Sequence, residues 1–182
     1  SGDPDLLNFP QVDELRNVFG VTGYPTGKIN RTTDWLSPYD AEDVLVMAGA
    51  DTNLAIAIIS ELSEDNELIV EVEVVYKEGS LSGDKLVVYL LESGVVQDQV
   101  NNNDQTSIYY QLGNPILDFV HNDGLRNSLT NLTGDEISSV EALKTFTRTF
   151  SLSVPENYNN DNLSIVAMVV SDDNSARNAQ FA

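Results

Sequence analysis

The clearest pattern along the chain is a period of two between Glu67 and Tyr76. Leu68, Val70, Val72, Val74 and Tyr76 alternate with Glu71, Glu73 and, just beyond, Lys77. An apolar face and a charged face at that period predict a β-strand with one side on a core and the other in water. Residues 86–91 (LVVYLL) are apolar on both faces and predict a strand covered on both sides. The turn-rich stretch 77–84 (KEGSLSGD) lies between them. The pair is therefore expected as an edge-like strand hairpinned onto a central one.

From residue 53 onward the theme repeats. Short β-branched and aromatic runs at residues 53–61, 67–77, 85–92, 106–112, 144–154 and 162–171, with a last one near 177–181, are separated by Asn, Asp, Gly and Ser. Such runs predict a mainly β fold, an antiparallel β-sandwich. Residues 113–143 form the longest stretch without a strand signal, and Ile137, Val140 and Leu143 suggest a helical turn within 135–143. The first fifty residues read differently. Pro10 suits the first turn of a helix, Val12, Leu15 and Phe19 follow at helical spacing, and Gly20 is a stop signal. These predict a short amphipathic helix over residues 10–19. A second helix is expected with Ser37 as N-cap, Pro38 as first helical residue and Gly49 at its end. The pattern turns strand-like near residue 50, which divides the chain into segments 1–50 and 51–182.

Composition narrows the function classes. At 182 residues and 41% hydrophobic, the chain can bury an ample globular core. Nine basic against 29 acidic residues leave a net charge of −20. That surface repels phosphate backbones, so no nucleic-acid partner is expected, nor polybasic docking on anionic lipid. Acidity of this degree fits a protein kept soluble outside the cytoplasm. There is no cysteine, which excludes disulfides, thiolate metal sites, cysteine nucleophiles and thiol-redox turnover by this chain. No apolar run approaches the roughly 20 residues of a membrane helix. Ser1-Gly2 reads as an expression scar, which leaves room for a targeting segment in the full-length protein.

Candidate chemistry is sparse. Residues 119–126 (FVHNDGLR) hold the only histidine, His121, with Asp123 beside it and Arg126 five residues on. A general base would pair His121 with Asp123. No nucleophile stands at a matching spacing, and Asn-Asp-Gly is turn chemistry. His121 and Arg126 are instead expected to satisfy buried loop carbonyls or carboxylates. No catalytic, cofactor-binding or metal-ligating residue is assigned. Three acidic-amide loops, residues 100–105, 156–162 and 171–175, are candidates for calcium, which takes about six to eight oxygen ligands. None has the EF-hand pattern, and solvated turns are expected. Trp35 is expected as a core or inter-domain anchor. For a carbohydrate-binding face, Tyr109, Tyr110 and Tyr158 are the available aromatics.

Two resemblances add to this. The run Gly20–Asn30, with Tyr24 and Pro25 bracketed by Gly23 and Gly27, follows a helix and precedes a strand. It resembles the second half of a thioredoxin-like domain, which implies a cis Tyr24–Pro25 bond. The two redox cysteines of that family would lie upstream of residue 1. More widely, Gly23–Gly27 with Ile29-Asn30-Arg31, Trp35, the runs 69–76 and 86–92, Gln97 or Gln99, His121-Asn122 with Leu125-Arg126, Gly134, and 163–170 with Asn178-Ala179 resemble the outer membrane protein 28 family of Bacteroides-type bacteria. That resemblance implies a surface-associated, often lipid-anchored protein of the cell envelope, with a thioredoxin-like part followed by a β-sandwich. It implies an outer-membrane-associated or extracellular location more than a reaction. Two function classes follow: a non-catalytic binding or adhesion module for a surface protein or glycan, and a thioredoxin-like oxidoreductase whose reactive half lies outside this chain. A carbohydrate-binding module is a third.

Overall fold

The computed structural model describes residues 5–49, 52–102, 104–105 and 107–182. The Ser1-Gly2 start, the expected boundary at residues 50 and 51, and Thr106, where one strand is expected to begin, lie outside the described residues. The elements are α1 (Val12–Val18), β1 (Gly27–Ile29), β2 (Thr33–Trp35), α2 (Ala41–Leu45), β3 (Leu54–Leu62), β4 (Glu67–Tyr76) and β5 (Lys85–Glu92). They continue with β6 (Val95–Val96), β7 (Val120–His121), β8 (Gly124–Ser128), β9 (Asp135–Glu136), β10 (Thr145–Ser153), β11 (Leu163–Val170) and β12 (Ala176–Phe181).

Two antiparallel sheets face each other. One has the order β10-β4-β3; the other runs β12-β11-β5-β8, with β9 also paired to β5. Between them lies the core. Leu68, Val70, Val72, Val74 and Tyr76 of β4 meet Leu86, Val88 and Leu90 of β5 and Ile165, Ala167 and Val169 of β11. Each set occupies alternate positions, because side chains on a strand alternate between faces. The fold is mainly β, as its patterning predicts.

The expected pairing of the two leading strands is not what forms. β4 is a central strand with β3 and β10 on its two edges, and β5 belongs to the opposite sheet. The tight hairpin is β3–β4, closed by Ser63–Asn66, where Asn66 N donates to the Ser63 carbonyl at 3.1 Å. The stretch 77–84 is too long for a tight hairpin loop of roughly two to five residues. It crosses between sheets instead, fastened by Lys77 N to the Asn53 carbonyl and Ser80 N to the Val140 carbonyl. An alternating pattern reports one solvated face, and a central strand of an open sheet has one as readily as an edge strand does.

Other expectations are also corrected. The second helix starts later than Ser37 and Pro38: Asp40 is its N-cap, in extended conformation, and its carboxylate accepts from Glu42 N at 2.9 Å. Residues 107–112 are turns, not a strand. The stretch 113–143 is not strand-free, since β7, β8 and β9 lie in it. No helical turn forms over 135–143; Asp135 and Glu136 pair instead with Leu86 and Lys85.

Polar residues fasten the sandwich at two places. Near the start of β5, Arg177 Nη1 reaches both carboxylate oxygens of the buried Asp84, at 2.6 and 2.5 Å, and its Nη2 meets Asn53 Oδ1 at 2.6 Å. Asp84 also accepts from Leu81 N. Burial, with the Asp84 charge alongside, raises the Tyr76 phenol well above its ordinary value. At the other end of β5, Glu92 Oε2 lies 3.0 Å from Arg126 Nε, with both side chains almost fully buried. Glu92 Oε1 accepts from Asn159 N at 2.7 Å, and the Arg126 guanidinium stacks on the Tyr158 ring at 4.1 Å.

The segment from α1 to Arg31 lies over the outer face of the second sheet, against Tyr89 and Met168, and residues 5–9 form a strap at the Glu92 end of β5. Arg126 Nη1 donates to the Leu6 carbonyl, and Leu6 N donates to Gln97 Oε1 at 2.7 Å. Arg31 Nη2 donates to the Leu132 carbonyl at 3.1 Å, which Tyr89 Oη also reaches at 2.6 Å.

Candidate functional site

A groove of about 1170 Å³ opens between the N-terminal region and a long excursion of the second sheet. Its first wall carries Tyr24, Pro25, Pro38 and Tyr39; the second carries Gln99, Asn101, Tyr109 and Phe119.

Local bonds build each wall. On the first, Thr26 Oγ1 donates to the Gly23 carbonyl at 2.6 Å, closing the Gly-bracketed loop. The Arg16 guanidinium sits 5.6 Å from the Tyr24 ring centre, yet that ring remains 66% exposed. Trp35 packs edge-on against Tyr39 at 5.4 Å, and its Nε1 donates to the Asp40 carbonyl at 3.1 Å. A side chain at Gly27 would begin 3.2 Å from the Trp35 ring, so glycine there lets the indole lie flat on β1. Trp35 is half-buried and anchors its own segment; it is not part of the sandwich core.

The second wall is a ribbon that leaves the sheet at β6 and returns at β7. Beyond β6 and β7, Gln97 N donates to the Phe119 carbonyl, and Gln99 and Ile116 exchange a pair of backbone bonds at 2.9 and 2.8 Å. Asn101, largely buried, ties the tip. Its Nδ2 donates to the carbonyls of Tyr109 and Gly113, both at 2.9 Å, and its backbone N donates to Asn114 Oδ1 at 3.1 Å. Phe119 packs edge-on between Tyr109 at 5.4 Å and His121 at 4.9 Å. The peptide bonds before Pro25, Pro38 and Pro115 are all cis, the first in line with the expectation for Tyr24–Pro25.

The residues singled out from the sequence are dispersed. Tyr24 and Pro25 line the groove, Trp35 stands behind its wall, His121 lies at the foot of the second wall, and Arg126 is inside the sandwich. His121 Nε2 lies 3.1 Å from the Gln97 carbonyl. Asp123 does not meet it: its backbone N and its carboxylate both engage Ser93 Oγ, at 3.0 and 3.2 Å. The pairing needed for a general base is therefore not assembled. Tyr158, a candidate for an exposed sugar platform, is half-buried under Arg126, whereas Tyr24 and Tyr39 do face the groove. Sequence reasoning missed the tying role of Asn101, because nothing in the asparagine run sets its amide apart. It also missed Arg31, whose role depends on a carbonyl 101 positions away.

Among the described residues, no group of three or more His, Cys, Asp or Glu could hold a metal ion, and no helix is long and apolar enough to cross a membrane. In the loop at residues 171–175, Asp173 accepts from the Ser175 hydroxyl and backbone N, which hold its carboxyl below the usual range.

The fold is similar to that of HBP35 of Porphyromonas gingivalis, with a TM-score of 0.68 at 13% identity. The alignment covers 94% of this chain and 56% of that one, so the chain spans little more than half the length of that protein. A domain of the outer membrane lipoprotein Omp28 from the same organism aligns with 72% of this chain and 87% of its own, at a TM-score of 0.45 and 18% identity. No curated protein sequence matches the chain. The family described as Outer membrane protein Omp28 matches it over residues 12–181, from α1 to the end of β12. A match of that extent settles the affiliation: the chain belongs to the Omp28 family of outer membrane proteins and to the outer-membrane-associated cell envelope.

Proposed function

We propose that this chain is a non-catalytic binding module at the cell surface, and that the groove between Tyr24 and Tyr109 is its recognition site. The groove itself carries this reading. Tyrosines offer large, stiff, amphipathic contact area at low entropic cost, and neighbouring amides supply adaptable hydrogen bonds. Tyr24, Tyr39, Tyr109, Gln99 and Asn102 bring that chemistry to one concave surface. A surface protein or a glycan are the ligand classes it suits. The lipoprotein among the similar structures supports a lipid anchor outside this chain. We further propose that residues 1–50 are the closing part of a thioredoxin-like unit, with 51–182 as the sandwich domain. The order α1, Tyr24–Pro25 loop, β1–β2 ribbon and α2 supports that division. With no cysteine present, this chain would then serve as a scaffold for the groove.

The test is a glycan array and a surface-peptide array probed with the labelled chain, alongside a Tyr24→Ala/Tyr109→Ala double variant. The wild type is expected to capture members of one class, and the folded double variant to lose them. A double variant that retains the wild-type binding profile would remove the groove from the reading.

A further inference from the structure

A second concavity, about 330 Å³, lies on the other side of the Tyr24–Thr26 loop, between α1 and the outer face of the second sheet. Its walls are apolar: Val12, Leu15 and Phe19 from α1 and its end, with Met168 and Tyr89 from the sheet beneath. Its charge is the unusual part. The whole chain has nine basic residues, and three of them, Arg16, Lys28 and Arg31, line this small pocket.

The cations are incompletely satisfied. Arg31 lies 5.0 Å from the Phe19 ring centre and 5.9 Å from that of Tyr89, and its Nη2 is on the Leu132 carbonyl. Its buried Nη1 has only the Tyr89 hydroxyl alongside, and the inward-facing Nε of the half-exposed Arg16 has no acceptor of its own. A buried donor without a partner is costly and uncommon, more so on a charged group. Burial also lowers the Arg31 guanidinium from its ordinary value, the mark of a desolvated cation. The carboxylates near this site hold other atoms: Asp13 pairs with Arg16 Nη1 at 3.2 Å, and Asp34 with Lys28 Nζ.

We infer that this pocket binds a small carboxylate-headed amphiphile, a medium-chain fatty acid in chemical type, with its head on Arg31 and Arg16 and its chain against Leu15, Phe19 and Met168. A guanidinium fork matches a carboxylate in plane and spacing. The volume falls at the lower end of the range for small-ligand sites, which suits a single short chain. The site is separate from the groove, sharing only the Tyr24 and Thr26 loop.

The probes are octanoate, octanol and octyltrimethylammonium, titrated calorimetrically into the 182-residue chain. Octanoate is expected to bind saturably at one site, with octanol and the cationic probe weaker by roughly tenfold or more, since each lacks the charge-assisted contact. Arg31→Lys, which keeps the charge but loses the fork, should weaken octanoate by about tenfold. Arg31 also holds the Leu132 carbonyl, so Val21→Trp, at the pocket wall, is the second variant; it should block the site while the thermal melt stays cooperative. No saturable octanoate binding, equal affinity for all three probes, or unchanged binding in folded Val21→Trp each overturns the proposal.

Discussion

The two sheets are built from strands of similar length and face one core, yet their outer faces are opposites. On the first sheet, β4 turns Glu71, Glu73 and the exposed Ile69 outward. On the second, the outward residues Val87, Met168 and Val170 are buried and pack with Tyr89 and Val166 into a cluster of their own. The difference is the N-terminal region, which lies over the second sheet and not the first. Both concavities occur where that cover meets the sheet or its loops. The covered sheet thus borders both proposed sites, and the open sheet serves as its partner in the core.

Glutamates offer the sharpest way to break the comparison. Glu92 on the second sheet is 4% exposed and paired with Arg126, whereas Glu71 and Glu73 stand on the open face. Arg126→Ala should cost about 3–5 kcal/mol, because it leaves a buried carboxylate without its counter-charge. Glu73→Ala should stay within about 0.5 kcal/mol. Urea unfolding of both variants measures the gap, and equal midpoints would mean the pair buried between the sheets contributes no more than a charge on the open face.

A smaller contrast uses apolar residues on the two outer faces. Met168→Ala beneath α1 should cost about 2–5 kcal/mol, and Ile69→Ala on the open face about 0.5 kcal/mol or less. Comparable losses in the same titrations would show that the N-terminal cover contributes little. Gly124→Ala probes the strap at residues 5–9, since a Cβ there would lie 2.8 Å from Leu7 Cδ2. Overpacking against the end of a flexible side chain should cost about 1 kcal/mol. Hydrogen exchange is expected to rise at Leu6 N, whose bond to Gln97 would loosen, and unchanged protection there would speak against the strap.

The smallest stability effect belongs to the groove. Tyr24 is mostly exposed, so Tyr24→Ala should shift the unfolding free energy by about 0.5 kcal/mol or less. It should nevertheless weaken ligand capture on the arrays. A marked loss of stability would recast Tyr24 as a structural residue.

The strand runs were legible in the sequence because alternation of apolar and polar residues is set by the strand itself. Lys85–Glu92 was readable to the residue, and the doubly apolar pattern of β5 announced cover on both faces. Arg126, on β8, meets the strand-end carboxylate of Glu92 and the backbone carbonyl of Leu6. What the pattern does not encode is the partner. A strand reads the same whether its neighbour is the next run or one seventy residues on, so β4 beside β10 and β5 in the opposite sheet were decided by tertiary packing. The groove joins residues 24–39 to 99–119, and Arg31 meets a carbonyl 101 positions away. Local propensity acts over a few residues, whereas these sites arise only once loop closure has brought distant segments together.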